Sequence, residues 1–168
     1  MKRYILILVC CFLILTLAGC TQTEPEDQGN VIFYYRSATD SYQPDSSIVT
    51  PDRRTVENTT QIQSVLEQYF DGPEDSGLIS PFPKQTTLLD IVIQDNSVTL
   101  TLSNSFTGIT GFDRTVACVC IAKTVFSLTG CDQVTIISGD ITDPGCVNIT
   151  LRADDILLTD IQTIRSVN

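Results

Sequence analysis

The chain has 168 residues, with 20 acidic against 10 basic, a formal net charge of -10 at pH 7, seven cysteines and no histidine. A surface this acidic is repelled by phosphate backbones and anionic headgroups, which disfavours nucleic-acid binding and electrostatic membrane docking. The missing histidine removes the commonest general base and the commonest metal ligand together, so Ser/His/Asp and Cys/His catalysis and histidine zinc sites are excluded, and neither a GxxxxGKS/T nor a GxGxxG phosphate-cradling run occurs.

The first residues set the location. Lys2 and Arg3 precede an apolar run from Ile5 to Leu17, which ends in Leu17-Ala18-Gly19-Cys20. This is the order of a secretory signal, basic then apolar then small, with a cysteine at the cut. The run is too short to span a bilayer, which needs roughly 20 apolar residues. It resembles the bacterial lipoprotein lipobox. The resemblance implies cleavage between Gly19 and Cys20, lipidation of the Cys20 thiol with a diacylglyceryl group, and a mature chain that begins at Cys20. One acyl chain gives only reversible binding, at roughly 0.8 kcal/mol per buried methylene, so the two chains of a diacylglyceryl group are expected to anchor stably. The expected location is the outer face of the bacterial cytoplasmic membrane. Lys2 and Arg3 leave with the signal (1–19), so the mature balance becomes 8 basic against 20 acidic residues.

Residues 20–30 follow as a polar, acidic tether with no apolar periodicity, expected to be disordered. Fully extended it reaches at most about 35 Å. The domain then begins at Val31, with an aromatic strand VIFYY to Tyr35 and a short strand near Ile48-Val49. Residues Asn58 to Phe70 carry Ile62, Val65, Leu66, Tyr69 and Phe70 on one stripe, the period of a helix. Asn58 or Thr59 can cap it, Gly72 suits a left-handed stop, and Pro73 forbids continuation.

After a Pro- and Gly-rich loop, Leu88 to Gln94 and Ser97 to Ser103 read as a β-hairpin turning at Asp95-Asn96. Val98, Leu100 and Leu102 alternate with Thr99 and Thr101, one face buried and one solvated. A second helix is expected over Asp113 to Thr129, with Ala117, Cys120, Ile121, Thr124 and Leu128 along one side and Gly130 as its stop. Gln133 to Ser138 gives a further strand. Beyond it Val147, Ile149 and Leu151 alternate with polar residues, and Ile156-Leu157-Leu158 follows, so the tail adds one or two edge strands. The expected fold is α+β in β-α-β-β-α-β order, an antiparallel or mixed sheet with two helices on one face, plus a short C-terminal β extension. The domain covers 31–140, and the extension, 141–168, packs on it.

These residues resemble the GerMN domain of lipoproteins and of sporulation or germination proteins in endospore-forming bacteria. The resemblance covers about residues 31 to 140. It is carried by Tyr69-Phe70-Asp71-Gly72-Pro73, by Leu78-Ile79-Ser80-Pro81-Phe82-Pro83, by Val98 to Ser103 with Phe106, and by Phe126 to Thr129 with Val134. Ser127 stands where the family commonly has threonine. The family's best-known members carry two copies of the domain where one is found here. The resemblance implies a non-catalytic domain, similar to the ring-building domains of secretion systems, that serves assembly at the membrane. Its partners would be other envelope or sporulation proteins, or copies of itself. Gly72, Pro73, Ser80, Pro83, Ser103 and Phe106 are its motif residues here, and turn geometry alone accounts for the Gly72-Pro73 and Ser80 to Pro83 elements. Tyr34, Tyr35 and Phe82 would alternatively form an exposed aromatic patch.

Two other functions are weighed. A carboxylate-dependent cell-wall hydrolase needs a facing acidic pair, with Glu67, Asp71, Glu74, Asp75, Asp90, Asp113, Asp154 and Asp155 available, although charge runs are normally a solvated face. A solute-binding lipoprotein would need a cleft, for which one small domain offers no hinge between lobes. No catalytic, cofactor or metal residue is assigned, and Asp140 to Gly145 lacks the ligand spacing of an EF-hand. Outside the cytoplasm disulfides are permitted. Cys118 and Cys120 point to nearly opposite sides of a helix and should not bridge. Cys131 with Cys146 is the pairing expected, with free buried thiols as the alternative.

Overall fold

The computed structural model describes residues 28–38, 47–140, 142–143 and 145–156. The signal, Gly19, Cys20, most of the tether, and Leu157-Leu158 lie outside these. The described elements run β1 (Gly29–Ser37), β2 (Val49–Val56), α1 (Ile62–Phe70), β3 (Leu78–Ile79), β4 (Leu88–Gln94), β5 (Ser97–Leu102), α2 (Gly111–Thr129), β6 (Gln133–Ser138) and β7 (Val147–Arg152), with short 3-10 turns at Asn104–Gly108 and Ala153–Asp155. This is an α+β fold. β1 begins at Gly29, two residues before the strand expected from its aromatic run.

The strands divide between two sheets, a three-stranded one in order β2-β1-β3 and a four-stranded one in order β4-β5-β6-β7. The expectation of one sheet fails because β1 has no edge to offer the hairpin. Eight-residue β2 runs antiparallel along one side of it. On the other side β3 pairs at Arg36 and Ser37, and the helices cap what β3 does not reach. The Tyr34 N–H donates to the Thr124 hydroxyl of α2 at 2.9 Å, and the Tyr34 carbonyl accepts the Tyr69 hydroxyl of α1 at 3.0 Å. A buried strand edge must be satisfied somehow, and here side chains do it.

In the second sheet β4 and β5 form the expected hairpin, closing on Gln94 opposite Ser97, while β5 pairs parallel with β6 across the α2 connection and β6 pairs antiparallel with β7. Val98, Leu100 and Leu102 are buried and Thr99 and Thr101 are not, as their alternation requires. One core draws on both sheets and both helices, including Phe33 and Tyr35 from β1, Leu66 and Tyr69 from α1, Leu100 from β5, Ile121 from α2 and Ile136 from β6.

α1 starts at Ile62 rather than at Asn58. Asn58 takes a left-handed φ of 56°, and its carbonyl accepts the Gln61 N–H, so it closes a turn before the helix and caps nothing. α1 ends as expected, with Gly72 at φ 104°. α2 also ends as expected, on Gly130 in the left-handed region, whose N–H bonds the Phe126 carbonyl at 2.9 Å. Its burial is nearly all round. Ala117, Cys118, Ile121, Ala122 and Val125 face the main core, whereas Val116 and Cys120 join Val49 in a second cluster against Tyr34 and Ile48. A helix buried on both flanks needs no single apolar stripe.

Candidate interaction surface

The motif residues fold the molecule. Arg54 of β2 carries its guanidinium over the rings of Phe33, 5.3 Å from the centroid, and Tyr35, 5.5 Å from it. It donates to Asp52 at 2.8 Å and to the Gly72 carbonyl at 2.8 Å, with Glu74 at 3.6 Å. The Gly72-Pro73 turn is thereby tied to β2. The Ser80 hydroxyl donates to the Phe82 carbonyl at 3.2 Å, and the loop that Pro83 ends sends Phe82 inward onto Phe70, 5.0 Å away, and Tyr69, 5.4 Å away. Ser103 accepts the Thr87 N–H and donates to the Gln85 carbonyl, while its own carbonyl receives the Ser138 hydroxyl. Phe106 is fully buried.

The aromatic patch is therefore corrected. Tyr35 and Phe82 are core, because Tyr35 alternates inward on β1 and Phe82 completes a ring cluster around Tyr69. Tyr34 is half-buried, with the Lys123 ammonium 4.7 Å above its ring. Burial holds the Tyr35 and Tyr69 phenols well above their ordinary value, with Arg54 opposing it at Tyr35.

The Cys131–Cys146 bridge is also corrected. β6 and β7 run antiparallel with Gln133 opposite Arg152 and Ser138 opposite Val147, so Cys131 and Cys146 sit at opposite ends of the ladder. At about 3.3 Å per residue the ladder's two ends are roughly 16 Å apart, whereas a disulfide needs Cα atoms within about 7 Å. Cys131 is a buried free thiol. Cys118 and Cys120 lie in different clusters, as their spacing required.

Burial pushes the Cys118 thiol up from 9.0 to about 11, against Arg114, and Cys120 up to about 12, against Lys123. Only the folded state resists ionisation, so this stabilisation is complete below the unfolded thiol value and is lost as pH rises through the folded ones. Chemical denaturation should show stability falling between pH 9.0 and about 12. A flat profile across that window would contradict the burial of both thiols.

All eight candidate carboxylates are exposed, without the burial a glycosidase uses to hold one carboxyl as an acid. Asp113 pairs with Arg36 at 3.0 Å, and Asp75 accepts the Gly77 N–H. At Asp140, the Thr142 N–H and hydroxyl bond one carboxylate oxygen and hold it below the ordinary range.

What remains for an interaction is exposed apolar surface. Leu89 is 61% exposed, Val92 41% and Ile93 52%, all on β4, while Ile79 and Phe112 are the other large apolar side chains in this state among the described residues. β4 is an outer strand of its sheet, and a register shift at Leu89 pushes that residue out of the ladder. Ile91 and Ile93 stand opposite Leu100 and Val98, on the core-facing side, and Val92 opposite Thr99 on the outer side. The sequence marks LLDIVIQ as a strand, and its one visible sign of this exposure is an apolar run that does not alternate.

The family model for Germane, described as sporulation and spore germination, matches residues 32–140. No curated protein matches the chain in sequence. Among solved structures, the tandem GerMN domains of the sporulation protein GerM from Bacillus subtilis are similar with a TM-score of 0.55 and 21% identity, over 71% of this chain and 41% of that one. The first GerMN domain of the same protein is similar with a TM-score of 0.55 and 18% identity, over 74% of this chain and 99% of that domain. The chain thus spans less than half of the tandem structure and nearly all of the single domain.

Proposed function

The chain belongs to the Germane family of sporulation and spore germination, and from that premise we propose that it is a lipid-anchored, non-catalytic envelope module serving protein–protein assembly in sporulation or germination. The observation that carries this reading is the family match over residues 32–140, on a domain whose motif residues all serve folding and whose remaining distinctive surface is apolar. The lipobox supplies the anchor. No helix among the described residues is long and apolar enough to cross a membrane, and the acidic mature chain has little electrostatic attraction to anionic headgroups. Cys20 therefore carries attachment, on the outer face of the cytoplasmic membrane. The partners are other envelope or sporulation proteins, or further copies.

Crosslinking of intact sporulating and vegetative cells, followed by mass spectrometry of whatever is joined to the lipidated protein, tests the reading. Envelope or germination proteins should be recovered from sporulating cells. A chain that stays monomeric and without partners at every growth stage would overturn it.

A further inference from the structure

Strand edges offer unpaired N–H and C=O groups to any passing strand, and folded proteins guard them with charge, proline or shortness. Among the described residues, three edges are guarded. β2 carries Pro51, Asp52, Arg53 and Arg54, β7 exposes Asn148, Thr150 and Arg152, and β3 is two residues long. β4 differs: among the described residues nothing pairs with its outer edge, and Leu89, Val92 and Ile93 are exposed there. Asp90 is its single charge, in a chain of net charge -10 whose copies repel one another elsewhere.

We propose that β4 pairs antiparallel with β4 of a second copy of this chain, about a two-fold axis through Val92, joining two four-stranded sheets into one. The proposal rests on the assembly reading above and names its surface. The register follows from the main chain. A two-residue turn closes on a hydrogen-bonded pair, here Gln94 and Ser97. Antiparallel ladders alternate between bonded and non-bonded pairs, so Val92 and Gln94 direct their main-chain groups toward β5, and Ile91 and Ile93 direct theirs outward. With the axis at Val92, Ile91 of each copy meets Ile93 of the other as a bonded, apolar pair.

On the opposite side Val92 meets Val92, flanked by Asp90 against Gln94. The lone carboxylate then faces an amide that can donate to it. An axis through Asp90 would instead set two like charges directly opposite, which destabilises a sheet.

The test uses the full chain in the membranes of the cells that make it, under copper-phenanthroline oxidation. Directly opposed residues of a non-bonded pair have Cα atoms about 4.5 Å apart, within disulfide range, and Val92 is exposed enough for Val92→Cys to leave the fold intact. Val92→Cys should give a reducible dimer of twice the chain mass. Asp90→Cys alone should stay at the wild-type level, since its two copies are four residues out of register, roughly 13 Å. Asp90→Cys mixed with Gln94→Cys should dimerise.

A Val92→Cys chain that gives no more dimer than wild type, or an Asp90→Cys chain that dimerises equally, overturns the pairing. An adduct joining Val92→Cys to a different protein overturns the second copy as the occupant of β4 and leaves the assembly reading standing. Copies linked through Val92 in sporulating cells where no other protein is recovered uphold the pairing while confining assembly to this chain.

Discussion

Replacing Tyr69 with alanine is expected to destabilise the domain by about 3–5 kcal/mol, the range for removing a large buried aromatic side chain. Tyr69 is fully buried, and its ring lies 5.4 Å from Phe33, 5.0 Å from Tyr35, 5.3 Å from Phe70 and 5.4 Å from Phe82. Among the described residues it is the one ring that touches β1, its own helix and the Ser80 to Pro83 loop together. Its hydroxyl also satisfies the Tyr34 carbonyl on the stretch of β1 that β3 leaves unpaired. Truncation therefore opens a cavity and strands a partly buried acceptor. Tyr69→Phe keeps the ring and loses only the bond, for an expected cost of about 1–3 kcal/mol. Against a typical domain stability of about 5–15 kcal/mol, the alanine variant should lose a large part of its denaturation midpoint and the phenylalanine variant visibly less. Equal losses for the two would place the whole effect in the hydroxyl. A loss under about 1 kcal/mol for alanine would refute the central role of the ring, because such a cost suits a surface position.

The elements that were legible in the sequence are those whose partners lie on one side. β5 alternates Val98, Leu100 and Leu102 inward against two threonines, so its pattern is its environment. Gly72 and Gly130 mark helix ends because left-handed backbone suits glycine, and both take positive φ. β2 was foreshadowed only by Ile48-Val49, since an edge strand reading VTPDRRTV has little to bury and carries a proline. α2 lies against both sheets, so its stripe of Ala117, Cys120, Ile121, Thr124 and Leu128 mixes residues facing two clusters.

Long-range pairing is where local reading stops. The division into two sheets depends on Thr124 and Tyr69 reaching the edge of β1 from elements far along the chain. The Cys131–Cys146 expectation failed on register, since sequence proximity of two cysteines says nothing about which ends of a hairpin they occupy. The candidate surface was half legible. LLDIVIQ announces a strand, but its outer position, which leaves Val92 and Ile93 uncovered, follows from the order of its sheet.

Changing Cys20 to serine is expected to abolish fatty-acyl labelling of the chain, because serine offers no thiol for the diacylglyceryl group. Cleavage before residue 20 should fail with it, so the protein should migrate with its 19 signal residues retained, still holding the apolar run from Ile5 to Leu17. Retention of that run would mask the loss of the anchor, so the decisive variant replaces residues 1–20 with an ordinary cleaved secretory signal. Two acyl chains at roughly 0.8 kcal/mol per buried methylene hold a protein stably at the bilayer, and what remains without them is a polar tether and a folded domain that together carry 8 basic and 20 acidic residues, with no spanning helix among the described residues. That chain should leave the membrane fraction and appear in the medium or the wash. If it stays membrane-bound after a high-salt wash, attachment resides in the domain or its partners and Cys20 is not the anchor. If Cys20→Ser still incorporates labelled fatty acid, the lipobox reading fails at its first step.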